Sequence, residues 1–188
     1  MSDSPSSRLR ADQVRALRRG DFTALAKMGA FRGESLELLE GVLCRMNAEG
    51  PRHAAVVDDL NMLLTPPLAG RAHVRIRGPF AAADDAQPVP DLAVIFPGKH
   101  THDHPASAFL VVEVADGTLQ EDREVKAPLY ARAAVMEYWL VNLEANVVEV
   151  HRTPHEGRYS DVWRFLPTDM IALAAFPDVI LKIGDFLD

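Results

Sequence analysis

The sequence holds a single cysteine, Cys44, in 188 residues. One thiol excludes an internal disulfide and fits a reducing compartment. No apolar run approaches the ~18 residues needed to cross a bilayer. Residues 1–17 are polar and basic, without the apolar core of a signal peptide, so a cytoplasmic protein with no membrane partner is expected. A glycine-rich phosphate loop is missing, which argues against a nucleotide-driven motor. The Gly-x-Ser-x-Gly elbow of serine hydrolases is missing as well. Positive charge is scarce: 20 Lys and Arg face 27 Asp and Glu, a formal net charge of −7. That balance disfavours a general nucleic-acid coat protein, because phosphate binding needs positive charge. It leaves room for a nuclease, whose site must itself be acidic to hold a metal, and there the distribution of charge matters more than its sum.

Apolar residues make up 48% of the chain, enough to build a substantial core at this length. We expect one domain over residues 9–188, behind a Ser-, Asp- and Pro-rich N-terminus at residues 1–8 that should be disordered. Residues 10–28 read as a helix with Val14, Leu17, Phe22 and Leu25 on one face and a basic patch of Arg15, Arg18 and Arg19. That patch suits a solvated face or a phosphate contact. Residues 35–40 and 42–46 read as a strand pair around Glu40 and Gly41. Pro51 suits the first turn of a helix that should run to about Leu64 and stop at Pro66 and Pro67. Its apolar face is Val56, Val57, Leu60 and Leu64, with His53 on the same face. Residues 71–77 alternate, with Arg71, His73, Arg75 and Arg77 on one side and Ala72, Val74 and Ile76 on the other. This is a half-buried strand whose basic stripe is either a solvated face or a row that tracks phosphates. Residues 119–134 are helical by composition, with a start or kink at Pro128. Residues 137–142 and 146–152 form a hairpin, and residues 158–166 a further strand. The apolar residues 172–187 take no assignment.

Residues 91–142 organise the rest. Two apolar runs suited to buried strands, residues 90–96 and 109–114, each carry one carboxylate, Asp91 and Glu113. An ionised carboxylate in such a setting costs several kcal/mol unless it is paired, hydrogen-bonded or metal-bound. Glu113 therefore asks for a cation, and Asp91 and Lys126 are the nearest candidates for a shared site. Carboxylates from adjacent strands can hold one or two hard divalent cations, and a lysine beside them can orient the attacking water and offset negative charge. The plain alternatives are a turn residue for Asp91 and an i,i+4 ion pair with Asp122 for Lys126. A second group, His100, His102 and His104, could bind zinc if it lay on a strand, but Pro97, Gly98 and Pro105 around it favour a loop.

Several strings appear in a fixed order: Glu37-Leu38-Leu39-Glu40-Gly41, Met46, Gly50-Pro51-Arg52-His53, Asp91-Leu92-Ala93-Val94 and Val111-Val112-Glu113-Val114. They continue with Asp122-Arg123-Glu124-Val125-Lys126, Tyr130-Ala131-Arg132-Ala133 and Glu137-Tyr138-Trp139-Leu140-Val141-Asn142. Together these resemble the Uma-two family of restriction endonucleases, in the PD-(D/E)XK nuclease superfamily, over residues 10–185. The resemblance implies an α/β (α+β) restriction-endonuclease-like fold, a mixed central sheet flanked by helices. It also implies Mg²⁺- or Mn²⁺-dependent cleavage of DNA phosphodiester bonds. Asp91 and Glu113 match the metal-binding acids, with the Val114 carbonyl as a further ligand, and Glu37 matches an acidic position that reaches the metal. Lys126 matches the catalytic lysine, displaced to the following helix because Ala115 stands at its general position. His53 matches the helix histidine. Arg71, Arg75, Arg77 and the N-terminal arginines would meet phosphates, and a homodimer would set two sites across a duplex. The sequence departs from the family pattern at Ala115, Gly117, Ala134, where glycine is usual, and Asn142. A catalytically silent nucleic-acid- or protein-binding module that keeps the fold is the alternative.

Overall fold

The computed structural model describes residues 13–187. The expected disordered N-terminus lies outside them, as does the first part of the helix expected over residues 10–28. Among the described residues that helix, α1, covers only Arg19–Lys27. It cannot start earlier because the backbone N–H groups of Leu17 and Arg19 donate to Gly41 O and Asp84 O, at 3.0 and 2.7 Å. The segment ahead of it is thus tied to two loops rather than to itself. Strands β1 (Leu36–Leu39) and β2 (Val42–Arg45) form the expected hairpin. Its turn residues Glu40 and Gly41 both have positive φ, 49° and 80°, as the primed turns of two-residue hairpins require.

Helix α2 runs Pro51–Leu68, one turn beyond the expected stop. Pro66 and Pro67 remove backbone donors, but Leu64 and Leu68 are fully buried and hold the last turn against the core. Six strands follow in one sheet: β3 (His73–Ile76), β4 (Leu92–Ile95), β5 (Ala108–Ala115), β6 (Glu137–Asn142), β7 (Val147–His155) and β8 (Arg158–Phe165). They lie in chain order, all neighbours antiparallel except the parallel pair β5 and β6. A parallel pair needs a crossover. Here it is a helical segment of three parts: α3 (Leu119–Glu121), a π-helical turn (Asp122–Lys126) and α4 (Ala127–Arg132). The start or kink expected at Pro128 is a start: α4 begins at Ala127 with the proline in its first turn, directly after the widened turn, whose end is marked by the Ala127 N–H reaching back five residues to Asp122 O. The turn ends two residues ahead of the proline, whose ring would clash with the carbonyl four residues earlier in a regular α-helix. The unassigned C-terminal stretch contributes a small antiparallel pair, β9 (Met170–Ala172) and β10 (Ile180–Lys182), and a 3₁₀ turn at Ile183–Asp185.

The two faces of the large sheet sort by strand parity. Leu92, Val94, Leu110, Val112, Val114, Trp139 and Val141 pack against α2 and the C-terminal segment. Ala93, Ile95, Val111, Tyr138 and Leu140 pack with Phe80, Ala127 and Tyr130 on the crossover side. Complete burial of each large apolar side chain contributes roughly 1.5–3 kcal/mol. The central strands β4, β5 and β6 are almost wholly buried, as their continuous apolar runs require. The alternation read over residues 71–77 fails at its end. Ile76 is exposed, and Arg77 has φ of 49°, so the strand stops before the stripe is complete. Among the described residues no helix is long and apolar enough to cross a membrane.

Candidate metal and catalytic centre

The pairing of β4 with β5 sets Leu92 opposite Val112 and Ala93 opposite Val111. One further step in that register puts Asp91, at the mouth of β4, beside Glu113. The β1–β2 hairpin comes up against this end of the sheet because Leu38 and Gln87 exchange backbone hydrogen bonds, 2.7 and 3.3 Å. Glu37 is thereby brought in, its Oε2 accepting from Val89 N–H at 3.1 Å. Across the crossover, the π-helical turn directs Asp122 and Lys126 at the same point. Together with His53 from the first turn of α2 and Glu49 from the loop ahead of it, these side chains line one cleft of about 70 Å³.

Lys126 is the buried cation of the cleft, 8% exposed. Its Nζ lies 3.3 Å from Glu113 Oε1, 3.5 Å from Glu37 Oε1 and 3.6 Å from Asp122 Oδ1. Burial alone would favour the neutral amine, but Glu113, Glu37, Asp122 and Asp91 outweigh it and lift the Lys126 pKa, so the ammonium form is held. Glu113 moves the other way. Burial first, and then the charges of Asp91, Asp122 and Glu37, push its pKa well above the ordinary carboxylate range, against the pull of Lys126. Tyr130 O–H donates to Glu113 Oε1 at 2.6 Å, and burial raises the phenol well above its usual value, so the hydroxyl stays a donor. Burial also raises Asp122, although Lys126 and the Thr118 hydroxyl, 2.7 Å from Asp122 Oδ2, oppose the shift.

On the α2 side, Asp91 Oδ2 accepts from Val114 N–H at 2.8 Å and lies 3.1 Å from His53 Nε2. His53 Nδ1 faces Glu49 Oε2 at 3.3 Å, and Arg77 forms an ion pair with the same Glu49 carboxylate. One ligand atom each from Glu49, His53 and Asp91 lies within 4.8 Å of the others, and among the described residues this is the group of three or more metal-ligating side chains gathered so closely. The cleft thus concentrates Glu37, Glu49, Asp91, Glu113 and Asp122 around one buried lysine. This donor set is chemically suited to a divalent cation, which takes carboxylate oxygens and waters.

The structure brings Asp91, Glu113, Lys126, His53 and Glu37 to one place. The arginine row does not stay together. Arg77 reaches the cleft mouth, its N–H bonded to Asp91 O at 3.1 Å. Arg71, at the other end of β3, is held by both oxygens of Asp178 at 2.6 and 2.8 Å and lies over the Phe176 ring. Arg75 packs its guanidinium against Gly78. Arg15, Arg18 and Arg19 pair with Asp21, Asp84 and Asp103. His100, His102 and His104 lie in a loop, as their prolines imply, and do not join a metal-ligating group among the described residues. Sequence reasoning missed Glu49 and Tyr130. Tyr130 stands four residues from Lys126 in the helical crossover, a spacing that brings side chains together, whereas Glu49 lies in the loop just ahead of α2, where no periodicity points to it.

None of the curated proteins compared matches the chain. Among solved structures, the crystal structure described as "a putative nuclease belonging to DUF820" from Anabaena variabilis superposes with a TM-score of 0.68 at 18% identity. The match covers 90% of this chain and 97% of that one, so the restriction-endonuclease-like mixed sheet is a shared fold. The Uma2 family model, described as "Putative restriction endonuclease", matches residues 20–184. That span takes in both strands of the acidic cleft, the crossover with its lysine and the helix with its histidine, and the chain belongs to the Uma2 family.

Proposed function

We propose that the chain is a metal-dependent endonuclease that hydrolyses phosphodiester bonds of DNA. Asp91 and Glu113 would hold Mg²⁺ or Mn²⁺, with Glu37 and the Val114 carbonyl beside them. The observation that carries this reading is the excess of buried carboxylate over buried cation around Glu113, since isolated buried charge of this kind is costly unless compensated. A bound divalent cation supplies Lewis-acid stabilisation of phosphoryl charge and a more acidic water. Lys126 is kept as an ammonium ion by three carboxylates, so it acts by position and charge: it orients the attacking water and offsets charge on the phosphoryl oxygens. Tyr130 fixes one oxygen of Glu113 by its hydrogen bond. His53 holds Asp91. Arg75 and Arg77 are the phosphate contacts nearest the cleft, Arg71 one further along β3. A homodimer would set two such clefts across a duplex.

Plasmid cleavage with Mg²⁺ or Mn²⁺ tests this, comparing the native chain with Lys126→Ala and Glu113→Gln, alongside calorimetric titration of the metal. Cleavage and saturable metal binding in the native chain, with both lost in Glu113→Gln, are expected. One observation favours a silent binding module: Lys126 and Tyr130 both engage the same oxygen of Glu113, so protein groups alone give that oxygen a cation and a donor. No saturable binding would favour that module, whereas equal cleavage by native chain and Lys126→Ala would mean that the lysine assignment, or the activity itself, is wrong.

A further inference from the structure

The π-helical turn at Asp122–Lys126 carries two charged groups of the cleft, yet it buries little that could hold it in place. Its buried residues are Asp122 and Lys126 themselves. Its one apolar side chain, Val125, is half-buried against the small cluster of Leu39, Ala86 and Leu129. Apolar burial, which seats the flanking strands and α4, therefore does little for the turn. Polar ties to the sheet take that place. Tyr138 O–H donates to Asp122 O at 3.3 Å. Arg123, the next residue, reaches β7: its Nε donates to Glu149 Oε2 at 2.9 Å and its Nη2 to Oε1 of the same carboxylate. A two-pronged bond of this kind fixes orientation as well as distance. Glu149 is 4% exposed and lies opposite Leu140, on the crossover face of the sheet. His151 Nε2 faces it at 3.9 Å. Arg164 stands directly opposite in the ladder, 3.3 Å from Oε1, and compensates the charge within the sheet, yet both oxygens accept from Arg123.

We infer that Glu149 is a positioning residue for Lys126: through Arg123 it anchors the crossover turn so that the ammonium group stays among Glu37, Glu113 and Asp122. The inference rests on the proposed nuclease reading, in which Lys126 orients water and offsets phosphoryl charge. Lys126 is drawn to its three carboxylates at 3.3, 3.5 and 3.6 Å, but that attraction alone does not fix the backbone that carries it. A group that acts by position needs support to within about 0.5 Å. Arg123 and Lys126 leave the turn in different directions, one toward β7 and the other into the cleft, so the turn is gripped from both sides. Glu149 touches neither the cleft acids nor the proposed phosphate position, and it acts on Lys126 only through the backbone between Arg123 and Lys126.

Lysine acetylation by an N-hydroxysuccinimide ester, followed residue by residue by mass spectrometry on the folded, metal-free chain, tests this without any cleavage. The chain has Lys27, Lys99, Lys126 and Lys182. Lys126, buried and held as an ammonium ion, should react slowest in the native chain. In Glu149→Gln its rate should rise at least about tenfold, since a hydrogen bond to a charged group is worth about that factor, with the other three lysines unchanged. Arg123→Met, at a side chain partly open to solvent, should give the same rise and serves if Glu149→Gln does not fold; Arg123→Lys, which keeps the charge, should fall between. Arg152→Met, which breaks the ion pair with Glu137 and leaves the turn alone, should keep Lys126 protected. In plasmid cleavage Glu149→Gln should lower kcat with KM unchanged, and should cost nothing further in a Lys126→Ala background. Lys126 equally protected in native chain, Glu149→Gln and Arg123→Met overturns the positioning role. So does a matching rise in Arg152→Met, which would reduce the effect to general loosening. Failure of the nuclease reading would appear separately, as absent cleavage by the native chain with the acetylation pattern intact.

Discussion

Replacing Lys126 by Met keeps the length and apolar stem of the side chain and removes its charge. The structure fixes what is lost. Three carboxylate oxygens lie 3.3, 3.5 and 3.6 Å from Nζ. At an effective dielectric of about 20, each contact has a gross Coulomb energy of about 5 kcal/mol. Most of that is offset by the desolvation of four charges, and breaking a buried pair by deleting one partner costs about 3–5 kcal/mol net. In a chain of this size 1 kcal/mol corresponds to roughly 2–4 °C in Tm. The metal-free variant should therefore melt at least about 6 °C below the native chain. A divalent cation should then do part of the lysine's work. Binding at a hundred times Kd stabilises by about 2.7 kcal/mol, and the variant, with one positive charge fewer in the cleft, should bind the ion more tightly than the native chain. Scanning calorimetry with EDTA, and again with saturating Mg²⁺ or Mn²⁺, measures both effects. A metal-free Tm within 2 °C of native would show that Lys126 does not neutralise the acids. An equal metal-induced rise in both proteins would show that ion and lysine do not share them.

Three other perturbations probe backbone strain, the support of Glu113 and a buried ion pair. Ala134 sits at φ of 54°, where a side chain costs roughly 1–2 kcal/mol, so Ala134→Gly should raise Tm by a few degrees in thermal denaturation; a lower Tm would mean the methyl group packs to advantage. Tyr130→Phe removes the 2.6 Å bond to Glu113 and should lower metal affinity about 10–100-fold with the sheet intact by circular dichroism; unchanged affinity would show that Glu113 needs no such support. Burial tends to raise Glu149, but the hydrogen bond from Arg123 and the charges of Arg123 and Arg164 outweigh it and hold its pKa below the ordinary 4.5. Its contribution is therefore present above that value and fades as pH falls through the lower folded pKa. The stability gap between native chain and Glu149→Gln, from urea melts, should be constant at neutral pH and close below about pH 4.5; a gap that widens on acidification would reverse the assignment.

Much of the sheet was legible because its central strands are buried on both faces and so read as unbroken apolar runs. The same property exposed Glu113 as anomalous, and the β1–β2 turn was legible from Glu40 and Gly41. What failed was local pattern without tertiary context. Val14 and Leu17 keep a helical spacing, but the donors at Leu17 and Arg19 are claimed by Gly41 and Asp84, far along the chain. Pro66 and Pro67 signal a stop, yet Leu68 is buried completely and the helix goes on to it. The arginine alternation read as one stripe, but the left-handed backbone at Arg77 turns the last member out of line. Glu49 was hidden by its place just before the helix, where an acid has an ordinary role at the positive end of the dipole.

The widened turn at Asp122–Lys126 makes the cleft sensitive to chain length more than to chemistry. A π-helical turn carries one residue beyond the regular helical repeat, and in an α-helix one residue is about 100° of rotation. Shortening this stretch by a single residue would let the crossover relax to an ordinary helix and swing the ammonium group a quarter-turn or more off the acids, while every strand kept its place. Within such a scaffold, a one-codon deletion is a route by which a cutting protein could become a mere binder.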